Sequence, residues 1–168
     1  MVKKDTCESL ENLFFDNPLT SFRARTLARQ VHITHPAITP YLAYLRTHGI
    51  ILQNPDGSWK AKQGLLFSRL KKVRTIQRLY KTGLVDYLVQ ETTPRAIILF
   101  GSASKGEDIE TSDIDIFVES AEKKLFLHKF DKLLHKKVNI TFGSFERLTK
   151  QFKNSLINGT ILYGGIEI

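Results

Sequence analysis

Residues 94–118 hold two apolar runs separated by one short polar loop, and this segment limits the fold more than any other. The first run, "PRAIILF" (94–100), is aliphatic and β-branched with little interruption. Such a run reads as a buried strand. Gly101-Ser102 ends it, and glycine accepts the sharp turn and close approach that a side chain would hinder. The second run is "SDIDIFVE" (112–119). Side chains alternate along a strand, so Asp113 and Asp115 share one face while Ile114 and Ile116 share the other.

Two carboxylates side by side repel each other. The arrangement is favourable when a dication bridges them, and hard oxygen ligands suit Mg²⁺ carrying a nucleoside triphosphate. The Ser102 hydroxyl and the amides that follow it suit phosphate oxygens at a helix N-terminus. The spacing Gly101, Ser102, ten residues, Asp113-Ile114-Asp115 resembles that of the DNA polymerase β-type nucleotidyltransferase superfamily. It is closest to the minimal nucleotidyltransferases, which include antitoxins paired with HEPN toxins. Lys105-Gly106 stands where that family usually has a basic residue and glycine, and "NGTILYGG" resembles the family's ending. The resemblance covers residues 84–168. It implies a small α/β nucleotidyltransferase domain with a mixed sheet and helices on one face. It also implies that Gly101, Ser102 and Lys105 bind nucleotide, with ATP the expected one, and that Asp113 and Asp115 are catalytic and hold Mg²⁺ or Mn²⁺.

The family also has a third carboxylate, on a later strand in an apolar-Asp-apolar setting. The corresponding stretch here is "KKVNITFG", with Asn139 at that position. The third carboxylate helps bind the metal that activates the acceptor hydroxyl. A neutral amide oxygen is a poorer ligand and cannot take a proton. Nucleotide binding therefore follows more directly than turnover. Glu107, Asp108 and Glu110, in the intervening loop, are candidates for a substitute oxygen.

Charge is unevenly spread. The net charge is +8. Residues 1–63 carry 8 basic and 5 acidic groups, residues 64–82 carry 6 and none, and residues 83–168 carry 11 and 12. A polyanion partner is expected for the first two stretches. Within them, "CESLENLFFD" (7–16) has helical apolar spacing. "FRARTLARQV" is expected to be a second helix capped by Thr20 or Ser21. "HITHPAITPYLAYLRTHGI" gives a third helix ended by Gly49, and Asn54-Pro55-Asp56-Gly57 turns a hairpin that returns at Trp59.

Three helices and a hairpin in this order resemble a winged helix-turn-helix DNA-binding domain over residues 1–63. The resemblance places Thr34, His35, Ala37, Thr39 and Tyr41 in the major groove and Arg46, Lys60 and Lys62 on the DNA backbone. Pro40 departs from the pattern, since a second-turn proline removes a donor and clashes with the preceding turn. Either the helix starts later, with Thr39 as cap, or it is distorted.

Residues 64–83 are expected to form a basic connector helix with one apolar stripe, Leu66, Leu70, Val73, Ile76 and Tyr80. The stripe either packs on its own domain or forms a homodimer seam. The lone Cys7 allows no intrachain disulfide. The apolar runs are too short to span a membrane, and "MVKKDTCESLENLFF" lacks signal-peptide features. A cytoplasmic protein is the expectation. The five histidines form no evident cluster.

The fold class expected is thus α+β in two domains, a winged helix-turn-helix and, after the connector, a nucleotidyltransferase domain. Three functional readings stay open. The first is Mg²⁺-dependent transfer of a nucleotidyl group from an NTP to a hydroxyl acceptor, coupled to DNA binding. The second is a non-catalytic, nucleotide-sensing transcriptional regulator. The third is an antitoxin with a toxin partner.

Overall fold

The computed structural model describes residues 3–166. The chain divides into two compact units, Met1–Arg69 and Leu70–Ile168.

The first unit contains helices α1 (Lys4–Asp16), α2 (Ala24–Gln30) and α3 (Thr39–Thr47), then an antiparallel hairpin of β1 (Ile51–Gln53) and β2 (Trp59–Ala61). Leu10 and Phe14, four residues apart on α1, share one helix face. They are fully buried with Leu27, Ile38, Leu45 and Ile51. The expected helix start before Phe22 does not occur. The Phe22 amide and carbonyl instead exchange 2.8 Å hydrogen bonds with Trp59. This extends the hairpin by an isolated bridge and delays α2. Arg23 is then the N-cap residue, and neither Thr20 nor Ser21 caps the helix.

Pro40 is accommodated by a later start, one of the two alternatives, but Thr39 is not the cap: Ile38 holds that position and Thr39 is the first helical residue. A 3-10 turn occupies Pro36–Ile38 and α3 begins at Thr39. Pro40 then lies in the first helical turn, where a missing N–H leaves no helical hydrogen bond unmade. The hairpin turn is tied by the Asp56 carboxylate, which accepts from the Ser58 amide and hydroxyl. Both contacts favour the ionised acid and lower the Asp56 pKa.

Helix α4 (Leu65–Lys81) contains the boundary between the units. It is followed by α5 (Leu84–Thr92), β3 (Ala96–Phe100), β4 (Ile114–Val118), α6 (His128–Leu134), β5 (Val138–Phe142), α7 (Lys150–Ile157) and β6 (Thr160–Gly164). The sheet order is β5-β4-β3-β6. β3 is antiparallel to β4 and β6, while β4 and β5 are parallel and joined through α6. The sheet is therefore mixed, as expected.

Its two faces follow from strand alternation. Ile97, Leu99, Ile114, Ile116 and Val118 pack with residues of α4, α5 and α6 in one core. Ala96, Ile98 and Phe117 pack with Leu156 of α7 in a second core, against which Phe100 and Phe152 also lie. Helices thus cover both faces, not one. The second cover arises because "TKQFKNSLI" places Phe152 and Leu156 one turn apart, and Thr149 caps the helix by accepting from the Phe152 amide. Gly159 lets the helix end approach β3: a Cβ there would lie 2.6 Å from the Leu99 carbonyl oxygen.

The apolar stripe of α4, expected either to pack on its own domain or to form a homodimer seam, is largely exposed in the single chain, which does not fit the first alternative. Leu66, Leu70, Val73 and Tyr80 are exposed, and only Ile76 is half-buried. In the second unit, the buried side of α4 holds Leu79 and, unexpectedly, Lys71. No helix among the described residues is long and apolar enough to cross a membrane.

Candidate functional site

The β3–β4 connection begins as a tight turn over residues 101–106, short of the regular helix expected there. Gly101 has φ +71°, in the left-handed region that glycine occupies at little cost. A Cβ at Gly101 would lie 2.8 Å from Asp115 Oδ2, so glycine is also required by close approach. The turn closes through the amides of Lys105 and Glu107, which both donate to the Ser102 carbonyl, and of Gly106, which donates to Ala103. The amides of Ser102, Ala103 and Ser104 are left without a backbone acceptor among the described residues. Three successive amides of this kind resemble the free first turn of a helix, a setting that favours anions.

Asp115 lies on β4 between two partners, in register with Phe100 on β3 and Asn139 on β5. Asp113 precedes β4 by one residue. A single atom, Asn139 Nδ2, donates to Asp113 Oδ2 at 2.9 Å and to Asp115 Oδ1 at 3.4 Å. The two carboxylates therefore converge, as strand alternation predicts. They do so on the sheet face covered by α7. No third His, Cys, Asp or Glu joins them in a metal-binding group among the described residues. The donors present are two hard carboxylates and an amide whose oxygen would face the same point after a half-turn. This set fits one hard divalent cation.

Of the loop acids considered as substitute ligands, Asp108 is excluded. It is 2% exposed and held between two buried lysines, with Lys136 Nζ at 3.0 Å and Lys71 Nζ at 3.3 Å. Lys71 also donates to the Asp108 carbonyl, and Lys136 to that of Ile109 at 2.5 Å. These contacts fix the segment leading into Asp113. An acidic residue in a polar loop just after the Gly101–Gly106 turn gave no sign in the sequence that it would be buried. Lys71 was expected on a face of the connector helix away from its apolar stripe, so its burial was not signalled either.

A cavity of about 570 Å³ adjoins the carboxylates through Gly101. Ser104 and Lys105 form one wall with it, and the facing wall comes from α7. Ser102 is half-buried beside these residues, and Lys105 is exposed. The α7 wall was missed because no helix was assigned to residues 150–157. The available signals were the Thr149 cap and the apolar pair Phe152 and Leu156.

In the first unit, Thr34, His35, Ala37, Thr39, Arg46, Lys60 and Lys62 are all exposed. Tyr41, expected among the groove-facing residues, is 6% exposed and belongs to the core. Its hydroxyl accepts from the Lys3 amide at 3.1 Å. The later helix start shifts the exposed face, which removes Tyr41 from any surface role.

Residues 83–165 match the protein family described as "Polymerase beta, Nucleotidyltransferase", which supports a nucleotidyltransferase fold for the second unit. No curated protein matches the chain. Two solved structures are similar over about half of it. One is a toxin-antitoxin crystallised with AMP-PNP, with 24% identity and a TM-score of 0.39, covering 54% of this chain and 73% of that one. The other is a mutant of the toxin-antitoxin MntA-HpeT, with 22% identity and a TM-score of 0.38, covering 50% and 73% respectively.

Proposed function

We propose that the second unit binds a divalent metal–NTP complex and transfers its nucleotidyl group to a hydroxyl acceptor, the new oxygen–Pα bond replacing the α–β phosphoanhydride and pyrophosphate leaving, and that the first unit binds DNA. The observation that carries this is the convergence of Asp113 and Asp115 beside the Gly101–Gly106 turn and its cavity. In this reading Asp113 and Asp115 hold Mg²⁺ or Mn²⁺. The cation, when bound, neutralises phosphate charge and orients the oxygens for in-line displacement. The amides of Ser102, Ala103 and Ser104 take phosphate oxygens, and the Lys105 ammonium offsets their charge. The turn's backbone geometry is already set in the free protein, so little reorganisation accompanies binding. The chain forms no covalent intermediate.

Asn139 favours a second reading, in which nucleotide is bound without turnover and acts as a signal for DNA binding. An amide that donates to both carboxylates is no proton acceptor for an attacking hydroxyl.

One experiment tests both. The protein is incubated with labelled ATP, Mg²⁺ or Mn²⁺, and cellular protein and RNA, and ATP binding is measured by calorimetry alongside. Transferred label that disappears in Asp113→Asn/Asp115→Asn supports the transferase. Metal-dependent binding with no transfer supports the sensor. Binding that is unchanged by the double substitution overturns the site.

A further inference from the structure

We propose that Lys136 is a positioning residue for Asp113: its buried ammonium holds the backbone that brings the Asp113 carboxylate to Asp115; this rests on the reading of the two carboxylates as the metal holders of an NTP-binding domain. The two carboxylates are placed by different means. Asp115 lies inside β4, in register with Phe100 on one side and Asn139 on the other, so the sheet fixes it. Asp113 lies before the strand begins and depends on the loop that leads to it.

That loop ends in a turn closed on itself. The Ser112 amide donates to the Ile109 carbonyl, and the Ile109 amide donates to the Ser112 hydroxyl. Both bonds are internal to the turn, so neither places it against the sheet. A side chain from another segment does so. Lys136 Nζ lies 3.0 Å from Asp108 Oδ2 and donates to the carbonyls of Ile109 at 2.5 Å and Ser112 at 3.3 Å. An ammonium has three hydrogens to give, and three acceptors surround this one. The side chain is 8% exposed. Lys136 is therefore spent inside the protein and keeps no donor for a phosphate, unlike the exposed Lys105.

The place of Lys136 in the chain extends the argument. His135, at φ +54°, ends α6 in the left-handed region and turns the chain toward β5. The next four residues grip Asp113 at three points. Lys136 holds the Ser112 carbonyl just before it, the Lys137 carbonyl accepts from the Ile114 amide just after it, and Asn139 Nδ2 donates to its carboxylate. The backbone on both sides of Asp113 and its side chain are thus referred to one segment. Partners that orient a metal ligand from outside typically change metal affinity by about 10- to 100-fold when removed.

The test uses the full chain and measures ATP affinity by calorimetry with Mg²⁺ and with EDTA; the ratio of the two is the metal-dependent gain. Lys136→Met keeps most of the aliphatic stem and removes the ammonium, while Lys71 stays beside Asp108. It is expected to cut the gain about tenfold or more and to leave affinity in EDTA as in wild type. Lys71→Met, which removes the partner of Asp108 on α4, is expected to lower the melting temperature but to keep most of the gain. Lys136→Ala removes the atoms of propylammonium. Adding that ion is expected to restore the gain, whereas tetramethylammonium, of equal charge but without N–H, is not. If the Met variant does not fold, the Ala variant refolded in propylammonium carries the same comparison. A Lys136→Met gain equal to wild type, a fall in its EDTA affinity, an equal loss of gain in Lys71→Met, or an Ala variant indifferent to propylammonium overturns the proposal. If wild type binds ATP no better with Mg²⁺ than in EDTA, the metal–NTP reading itself fails, and the proposal with it.

Discussion

Asn139 does with two hydrogens what a cation would do with charge: it draws Asp113 and Asp115 together. Replacing it by aspartate puts three carboxylates at one point and removes the donor. Asn139→Asp is therefore expected to melt at a lower temperature than wild type in EDTA and to gain more stability from added Mg²⁺, read by thermal unfolding. If wild-type transfer is slow, the same substitution is expected to raise it, each ~1.4 kcal/mol of barrier being tenfold in rate. A brisk wild type that the substitution leaves unchanged would show that the amide does not limit the reaction. Asp108 makes the opposite case, a carboxylate already balanced by two buried ammonium groups. Asp108→Asn removes one counter-charge from the side chains of Lys71 and Lys136. Loss of one partner from a buried pair costs about 3–5 kcal/mol, so denaturant unfolding of the second unit should show a loss of that order.

At the scale of elements, α7 decides the shape of the site. Phe152→Ala removes the ring that packs on Phe100 and Phe117. Phe152 is half-buried, so the loss is expected to fall below the ~3 kcal/mol typical of a fully buried aromatic truncated to alanine. The same change loosens the cavity wall, so it should weaken nucleotide binding without changing the metal-dependence of tripolyphosphate binding. Calorimetry with both ligands checks this.

The sequence revealed α7 far less than β3 and β4. β3 and β4 announce themselves, because period-2 alternation and a Gly-Ser turn leave few other folds for residues 94–118. From those residues alone, the convergence of Asp113 and Asp115 could be placed, whereas Asn139 was placed by the resemblance of "KKVNITFG" to the family's third-carboxylate strand. α7 has only two apolar residues in eight and carries its meaning on a polar face, where periodicity is silent. The burial of Lys71 and Asp108 was hidden for a related reason: charge pairs between distant segments leave no local pattern. In the first unit the hairpin turn was evident. The start of α2 was not, because the Phe22–Trp59 bridge is a contact 37 residues apart.

For the whole molecule, charge separates the roles. Residues 64–82 contain six basic and no acidic residues, and Arg46, Lys60 and Lys62 are exposed in the first unit. On the proposed reading, the chain binds duplex DNA with an affinity that falls as salt rises. Each phosphate contact contributes about 0.9 to the negative log–log slope. Arg46→Ala and Lys60→Ala should each reduce that slope by about one contact, measured by fluorescence anisotropy across a salt series. A Tyr41→Phe variant should leave DNA affinity alone, since that hydroxyl is spent on the Lys3 amide. The lysine pair around Asp108 also has a kinetic consequence. Stability within a protein is shared out in cooperative units that open together. Lys71 and Lys136 fasten the loop before Asp113 to α4 and to the segment before β5, so this loop is not free to fray by itself. In amide hydrogen exchange, the protons of residues 106–112 that make hydrogen bonds should exchange at rates close to those of α4's second half, and far more slowly than those of the hairpin tip at Asp56-Gly57.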